Sequence, residues 1–168
     1  IILKDAINKD PKNAVLKNIL GDILLKEHRT SEVLDLLKLN IGKDHVFTPT
    51  QSMLMIKSLM EQEKWGLVNE SLLAIEQQKG TLPLDFQSLR ALYHEQNKDY
   101  DKAIESWAIL EEANPEVSAF GLAIAGLYEK QGREKEAESK LTEALTLFPD
   151  DTGVWGSWSK FQRKNGDN

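Results

Sequence analysis

The stretch from Ser118 to Pro149, SAFGLAIAGLYEKQGREKEAESKLTEALTLFP, decides how the rest of the chain is read. Ala123, Leu127 and Tyr128 fall on one side of a helix that stops at Lys130-Gln131-Gly132-Arg133. Ala137, Leu141, Ala144, Leu145 and Phe148 then recur three or four apart, the spacing of a second amphipathic helix, and Pro149 closes it. Gly132 supplies a residue that enters positive φ at a helix end without a Cβ clash. The stretch reads as two antiparallel helices.

The same unit recurs. The five prolines, Pro11, Pro49, Pro83, Pro115 and Pro149, are separated by 38, 34, 32 and 34 residues, a period that marks a stack of similar supersecondary units. The preceding unit reads Leu89, Arg90, Tyr93, then Tyr100-Asp101-Lys102-Ala103-Ile104, Trp107, Leu110 and Asn114-Pro115, with one extra residue expected in the turn Asn97-Lys98-Asp99. Before it come Met55, Ile56 and Leu59, then Trp65, Val68, Leu72 and Ile75. Thr48 and Gln51 form a capping-box pattern with Pro49 at the first helical position, and Pro83 is expected to start its helix in the same way. The first complete unit carries Leu20-Gly21, Leu24, Val33, Leu37 and the linker Asn40-Ile41-Gly42-Lys43-Asp44-His45. Leu3, Ala6, Ile7 and Asp10-Pro11 match the end of a second helix, and Val154, Trp155, Trp158 and Phe161 match a first helix.

Gly121, Ile124, Ala125 and Tyr128, followed by Ala137, Leu141, Ala144 and Pro149, resemble a tetratricopeptide repeat, with Gly121 standing in the tryptophan slot. In the last half-unit Trp155 fills that slot. The resemblance covers the whole chain and implies an all-α fold, a right-handed α-solenoid of antiparallel helix pairs. Its expected organisation is a single solenoid over 1–168: a half-unit at 1–11, repeats at about 14–47, 48–81, 82–115 and 118–149, and a half-unit at 150–168. Helices are expected near 1–9, 13–27, 31–40, 49–62, 65–79, 84–96, 100–113, 117–130, 134–147 and 152–164. Starting and stopping in mid-repeat reads as an internal fragment of a longer array. The apolar residues of both half-units predict self-association through the ends.

Composition narrows the function. A net charge of −6 argues against direct nucleic-acid binding, which depends on clustered Lys and Arg. The nearest basic cluster, Lys160, Arg163 and Lys164, reads as a solvated helix end. No apolar run reaches the ~18 to 20 residues of a membrane span, so a soluble fragment without membrane insertion is expected. Zero cysteines exclude a disulfide framework and leave cytoplasm and periplasm equally open.

Catalytic signatures are missing. His28, His45 and His94 show no metal-binding spacing, Glu27-His28-Arg29 reads as a polar turn, and no phosphate-binding loop or nucleophile elbow is present. Glu111-Glu112 and Asp150-Asp151 read as solvated helix ends. No enzyme, cofactor or metal is expected. Trp155, Trp158 and Phe161 have helical spacing and are expected in the core rather than in a binding stripe.

The resemblance implies a concave wall lined by the first helix of each unit, where a peptide or helix of a partner protein docks. The candidate lining is Asn18, Asp22 and Leu25; Met53, Lys57 and Met60; Gln87, Ala91 and His94; and Leu122, Gly126 and Glu129. Only Asn18 and Lys57 match the family's carboxylate-gripping set, so an apolar helix or strand is favoured over a terminal carboxylate. The expected function is a non-catalytic interaction scaffold. Two alternatives stand beside it: a structural spacer or self-assembly element of a larger protein, and an RNA-processing scaffold, suggested by the resemblance of Val154 to Phe161 to a half-a-TPR helix.

Overall fold

The computed structural model describes residues 2–10, 13–38 and 47–166. Pro11, Ile1 and the linker from Asn40 to His45, which the sequence reading used, lie outside the described residues. The described residues form ten α-helices: α1 (Ile2–Lys9), α2 (Ala14–Lys26), α3 (Thr30–Lys38), α4 (Pro49–Glu61), α5 (Trp65–Lys79), α6 (Leu84–Gln96), α7 (Tyr100–Ala113), α8 (Ser118–Lys130), α9 (Glu134–Leu147) and α10 (Thr152–Asn165). Each falls within about two residues of its expected position. The chain divides into two compact units, residues 1–81 with α1 to α5 and residues 82–168 with α6 to α10.

Local chemistry sets the starts. At α4 the Thr48 hydroxyl accepts from Gln51 N at 3.3 Å while the Gln51 side chain accepts from Thr48 N at 3.1 Å, a complete capping box with Pro49 just inside. Asn13 caps α2 by accepting from Leu16 N, and Asp151 caps α10 by accepting from Gly153 N at 2.7 Å and Val154 N at 3.3 Å. Such caps are worth ~1 kcal/mol each. Pro83 departs from expectation: it is the N-cap of α6 rather than its first helical residue.

The ends obey one rule in all four helix pairs. Three residues separate first helix from second, and the middle one is left-handed: His28 (φ 57), Glu63 (φ 55), Lys98 (φ 61) and Gly132 (φ 71). Around each, the next amide reaches back across the turn, as in Arg29 N to Leu24 O, Lys64 N to Leu59 O, Asp99 N to His94 O and Arg133 N to Tyr128 O. These are Schellman-type ends, in which the turn satisfies carbonyls the helix leaves orphaned. The turn at Asn97-Lys98-Asp99 therefore contains no extra residue, a correction to the sequence reading.

In the first unit Leu20, Leu24, Val33, Leu36, Leu37 and Leu54 form one buried cluster, with Leu3, Ile7, Phe47 and Met55 packed against it. Gly21 lets α2 and α4 approach: a Cβ there would lie 2.8 Å from Leu54 Cδ1. In the second unit Ala125, Ala137, Leu141 and Phe161 join α8, α9 and α10, and the Trp158 ring stacks on Phe161 at 6.1 Å. Trp155 is the exception to the expected aromatic core. It is 51% exposed, with its indole N–H donated to Pro149 O at 2.7 Å, because no helix covers that side of α10 among the described residues.

Polar contacts repeat with the same period. His28 meets Glu61 and Gln62 donates to Thr30 in the first unit. In the second, Lys130 meets Glu95 at 3.0 Å, Lys164 meets Glu129 at 3.4 Å, and Arg133 and Gln131 both reach Asp101. Each pair joins residues 30 to 35 apart in sequence, so within each unit neighbouring repeats are tied by equivalent positions.

Candidate functional site

The N-caps Asn13, Thr48, Pro83, Val117 and Asp151 provide a common frame for the five first helices, α2, α4, α6, α8 and α10. Positions five, nine and twelve residues after the cap are Asn18, Asp22 and Leu25 on α2, Met53, Lys57 and Met60 on α4, and Leu122, Gly126 and Glu129 on α8. All nine candidates share one register and all are exposed or half-buried.

On α6 the sequence reading is one residue out of register. Gln87 and Ala91 are buried, and Gln87 donates its amide to Leu82 O, so neither offers surface. They occupy the places of Gly121 and Ala125 in α8. His94 sits beside α7: its Nδ1 lies 3.8 Å from Asp99 Oδ2, and Lys102 is among its electrostatic neighbours. Burial, followed by Lys102, pushes the His94 imidazole below its ordinary pKa. The surface positions of α6 in the shared frame are Ser88, Leu92 and Glu95. Counting from the helix start at Pro83, rather than aligning Tyr93 with Tyr128, is the signal that finds them.

The second unit brings three predicted residues together. Leu122, Gly126 and Glu129 line a depression of about 180 Å³ with Ala125, Leu141, Ser157 and Lys160. Leu122, Ala125 and Leu141 form a small apolar floor, and most of the exposed lining is polar, with Glu129 of α8 and Ser157 and Lys160 of α10 at its wall. Nothing lies within 4 Å of the point where a Cβ on Gly126 would stand. Gly126 is in mid-helix, so neither turn geometry nor packing accounts for a residue that costs ~1 kcal/mol relative to Ala there. The Glu129 carboxylate is engaged by Lys164, whereas Lys160 has no carboxylate partner among the described residues.

In the first unit Asn18 presents a second polar feature. Its Oδ1 is buried without a hydrogen-bond donor, although the residue as a whole is only half-buried. Leu25 contributes to the apolar cluster beneath it. A separate depression of about 340 Å³, lined by Ile7, Leu20, Leu24 and Leu36 with Glu32 and Asp35, holds none of the predicted residues. Among the described residues no three His, Cys, Asp or Glu side chains converge on a metal-sized site, and no helix is long and apolar enough to cross a membrane.

Solved structures with the same arrangement are tetratricopeptide-repeat proteins. A repeat protein from Parabacteroides merdae superposes with a TM-score of 0.76 at 18% identity over 98% of this chain and 64% of its own. TTC0263, a thermophilic repeat protein of Thermus thermophilus, gives 0.69 at 18% identity over 95% and 86% of the two chains. YrrB, described as having an unusual peptide-binding site, gives 0.67 at 14% identity over 92% and 79%. No protein-family model matches the sequence, and no curated protein does. The fold is thus that of tetratricopeptide-type helical repeats.

Proposed function

We propose that this chain is a non-catalytic protein-interaction scaffold, a single repeat array whose first helices hold a peptide or helix of a partner. The observation that carries the reading is the depression where Leu122, Gly126 and Glu129 meet Ser157 and Lys160. It combines a mostly polar lining over a small apolar floor, a mid-helix glycine with open space above it and a cation without a carboxylate partner among the described residues. A bound backbone laid against Gly126 would fill the open space there. The described peptide-binding site of YrrB, on the same fold, agrees with this reading.

Pull-down with Met53→Glu combined with Leu122→Glu tests it. Both residues are only half-buried, so helicity should persist while capture of the partner is lost. Exposed changes on second helices, such as Glu138→Ala, should leave capture intact. Capture of the same proteins by the paired variant would refute the first-helix surface.

A further inference from the structure

One place in the repeat carries different chemistry in the two units. Counted from the N-caps Asn13 and Val117, Arg29 and Glu32 of α3 correspond to Arg133 and Glu136 of α9, and each pair is joined, at 2.6 Å and 2.9 Å. The left-handed turn residues His28 and Gly132 correspond as well. In this register Leu36 stands where α9 has Lys140, and Ile7 of α1 stands where α7 has Glu111. Lys140 and Glu111 pair at 2.9 Å and join α7 to α9 over Gly121 of α8, where a Cβ would lie 2.7 Å from Glu111 Oε1 and 3.7 Å from Lys140 Cε.

In the first unit two aliphatic side chains replace that ion pair. Between them lies the depression of about 340 Å³, floored by Leu20 and Leu24 of α2, with Glu32 and Asp35 of α3 on its rim. Leu20, Leu24 and Leu36 belong to the buried cluster of the unit, so the core itself reaches the surface here. The opening does not come from a missing neighbour. A helix before α1 would correspond to α6 before α7. With α6 on one side and α10 on the other, the side chains of Glu111 and Lys140 remain 30% and 19% exposed.

An apolar floor that the second unit spans with an ion pair, and the first leaves open, suits an inserted aliphatic group, because both surfaces then leave water. The volume is at the small end of the ~300 to 1,000 Å³ of ligand sites, so the depression admits side chains of a peptide rather than a cofactor-sized molecule. Charge then selects the peptide. Both charged residues of the lining, Glu32 and Asp35, are acidic, and the guanidinium of Arg29 is shared between Glu32 and Glu27, the latter at 2.8 Å. A lysine or arginine beside the inserted side chain meets attraction, and an acidic residue meets repulsion.

We propose that this depression, on the second-helix side of the first unit, docks a segment of a partner protein that carries aliphatic side chains next to lysine or arginine. The aliphatic groups sit between Ile7 and Leu36 over Leu20 and Leu24, and the cation sits on the rim of Glu32 and Asp35. The site is separate from the first-helix surface and does not depend on it.

Titration of the isotope-labelled full chain with a short capped peptide of alternating leucine and lysine pairs, followed by backbone amide shifts, tests the proposal. Saturable shifts in α1, α2 and α3 are expected, weakening as salt rises. The same peptide with glutamate for lysine should bind at least about tenfold more weakly. Ile7→Glu combined with Leu36→Lys installs the ion pair of the second unit and should weaken binding by at least about tenfold at unchanged circular dichroism. Should that variant unfold, Asp35→Lys, at an exposed position, leaves the apolar floor intact and should weaken binding through charge alone. Met53→Glu with Leu122→Glu should leave these shifts unchanged, which separates this site from the first-helix surface. Absence of shifts in α1 to α3, equal binding of the glutamate peptide, or undiminished binding by folded Ile7→Glu, Leu36→Lys or by Asp35→Lys would each overturn the proposal. Benzene shifting the same amides where the peptide does not would mark a small-molecule cavity and overturn it too.

Discussion

Gly21 and Leu54 approach so closely that a single methyl on the glycine would lie 2.8 Å from Leu54 Cδ1. Leu54 is 3% exposed and packed within the core of its unit, so it has little room to withdraw. Gly21→Ala gains ~1 kcal/mol of helix propensity. Overpacking of ~1 to 3 kcal/mol opposes it and should win. The expected result is a lower urea midpoint. In a double-mutant cycle with Leu54→Val the two losses should be less than additive, because the smaller side chain vacates the contested space.

The turn residues give a prediction of opposite sign. Glu63 and Lys98 are held at φ 55 and φ 61, where a Cβ costs roughly 1 to 2 kcal/mol. Replacing either by glycine relieves that strain and loses roughly 0.5 to 1 kcal/mol to the greater freedom of the unfolded chain. Each substitution should therefore stabilise by roughly 0.5 to 1 kcal/mol, the difference between those two effects. Gly132→Ala, at φ 71, should destabilise by a similar amount. Thermal midpoints of the three variants decide the matter, and a stabilising Gly132→Ala would contradict the turn geometry.

Helix positions are legible in the sequence because capping chemistry and apolar spacing are local. Thr48, Pro49 and Gln51 announce a helix start in four residues, and the structure forms that box. The register of α6 is not legible, because Tyr93 resembles Tyr128 in chemistry but not in position. Burial is governed by distance from the cap, which puts His94 rather than Tyr93 in the place of Tyr128. The left-handed turns at His28, Glu63 and Lys98 are also silent, since the residues there give no hint of positive φ and only Gly132 announces it. The size of Trp155 points to the core. Burial needs a neighbouring helix as well as an apolar side chain, and periodicity within one helix carries no record of its neighbours.

His94 predicts a pH dependence. Burial first, and Lys102 second, hold its pKa below the ordinary 6.5, with Asp99 opposing. The unfolded chain then binds the proton more readily than the folded one, so stability falls as pH drops below about 6.5 and is recovered above it. His94→Gln should flatten the slope of unfolding midpoint against pH between about 5 and 7. A slope as steep as wild type in that variant would place the responsible group elsewhere.

Gly126 separates folding from binding in one residue. It lies in mid-helix with nothing within 4 Å of the position a Cβ would take, so Gly126→Ala meets no clash. Helix propensity then dominates, and the variant should be more stable by ~1 kcal/mol. If the depression beside it receives a partner's backbone, Gly126→Leu should fill much of its roughly 180 Å³ and weaken capture without unfolding the second unit. The two substitutions read different things: the alanine reports the open space in the free chain, and the leucine reports whether a partner uses it. A leucine variant that folds and still captures the partner at wild-type strength would remove this depression from the binding surface, leaving the stability gain of the alanine variant unaffected.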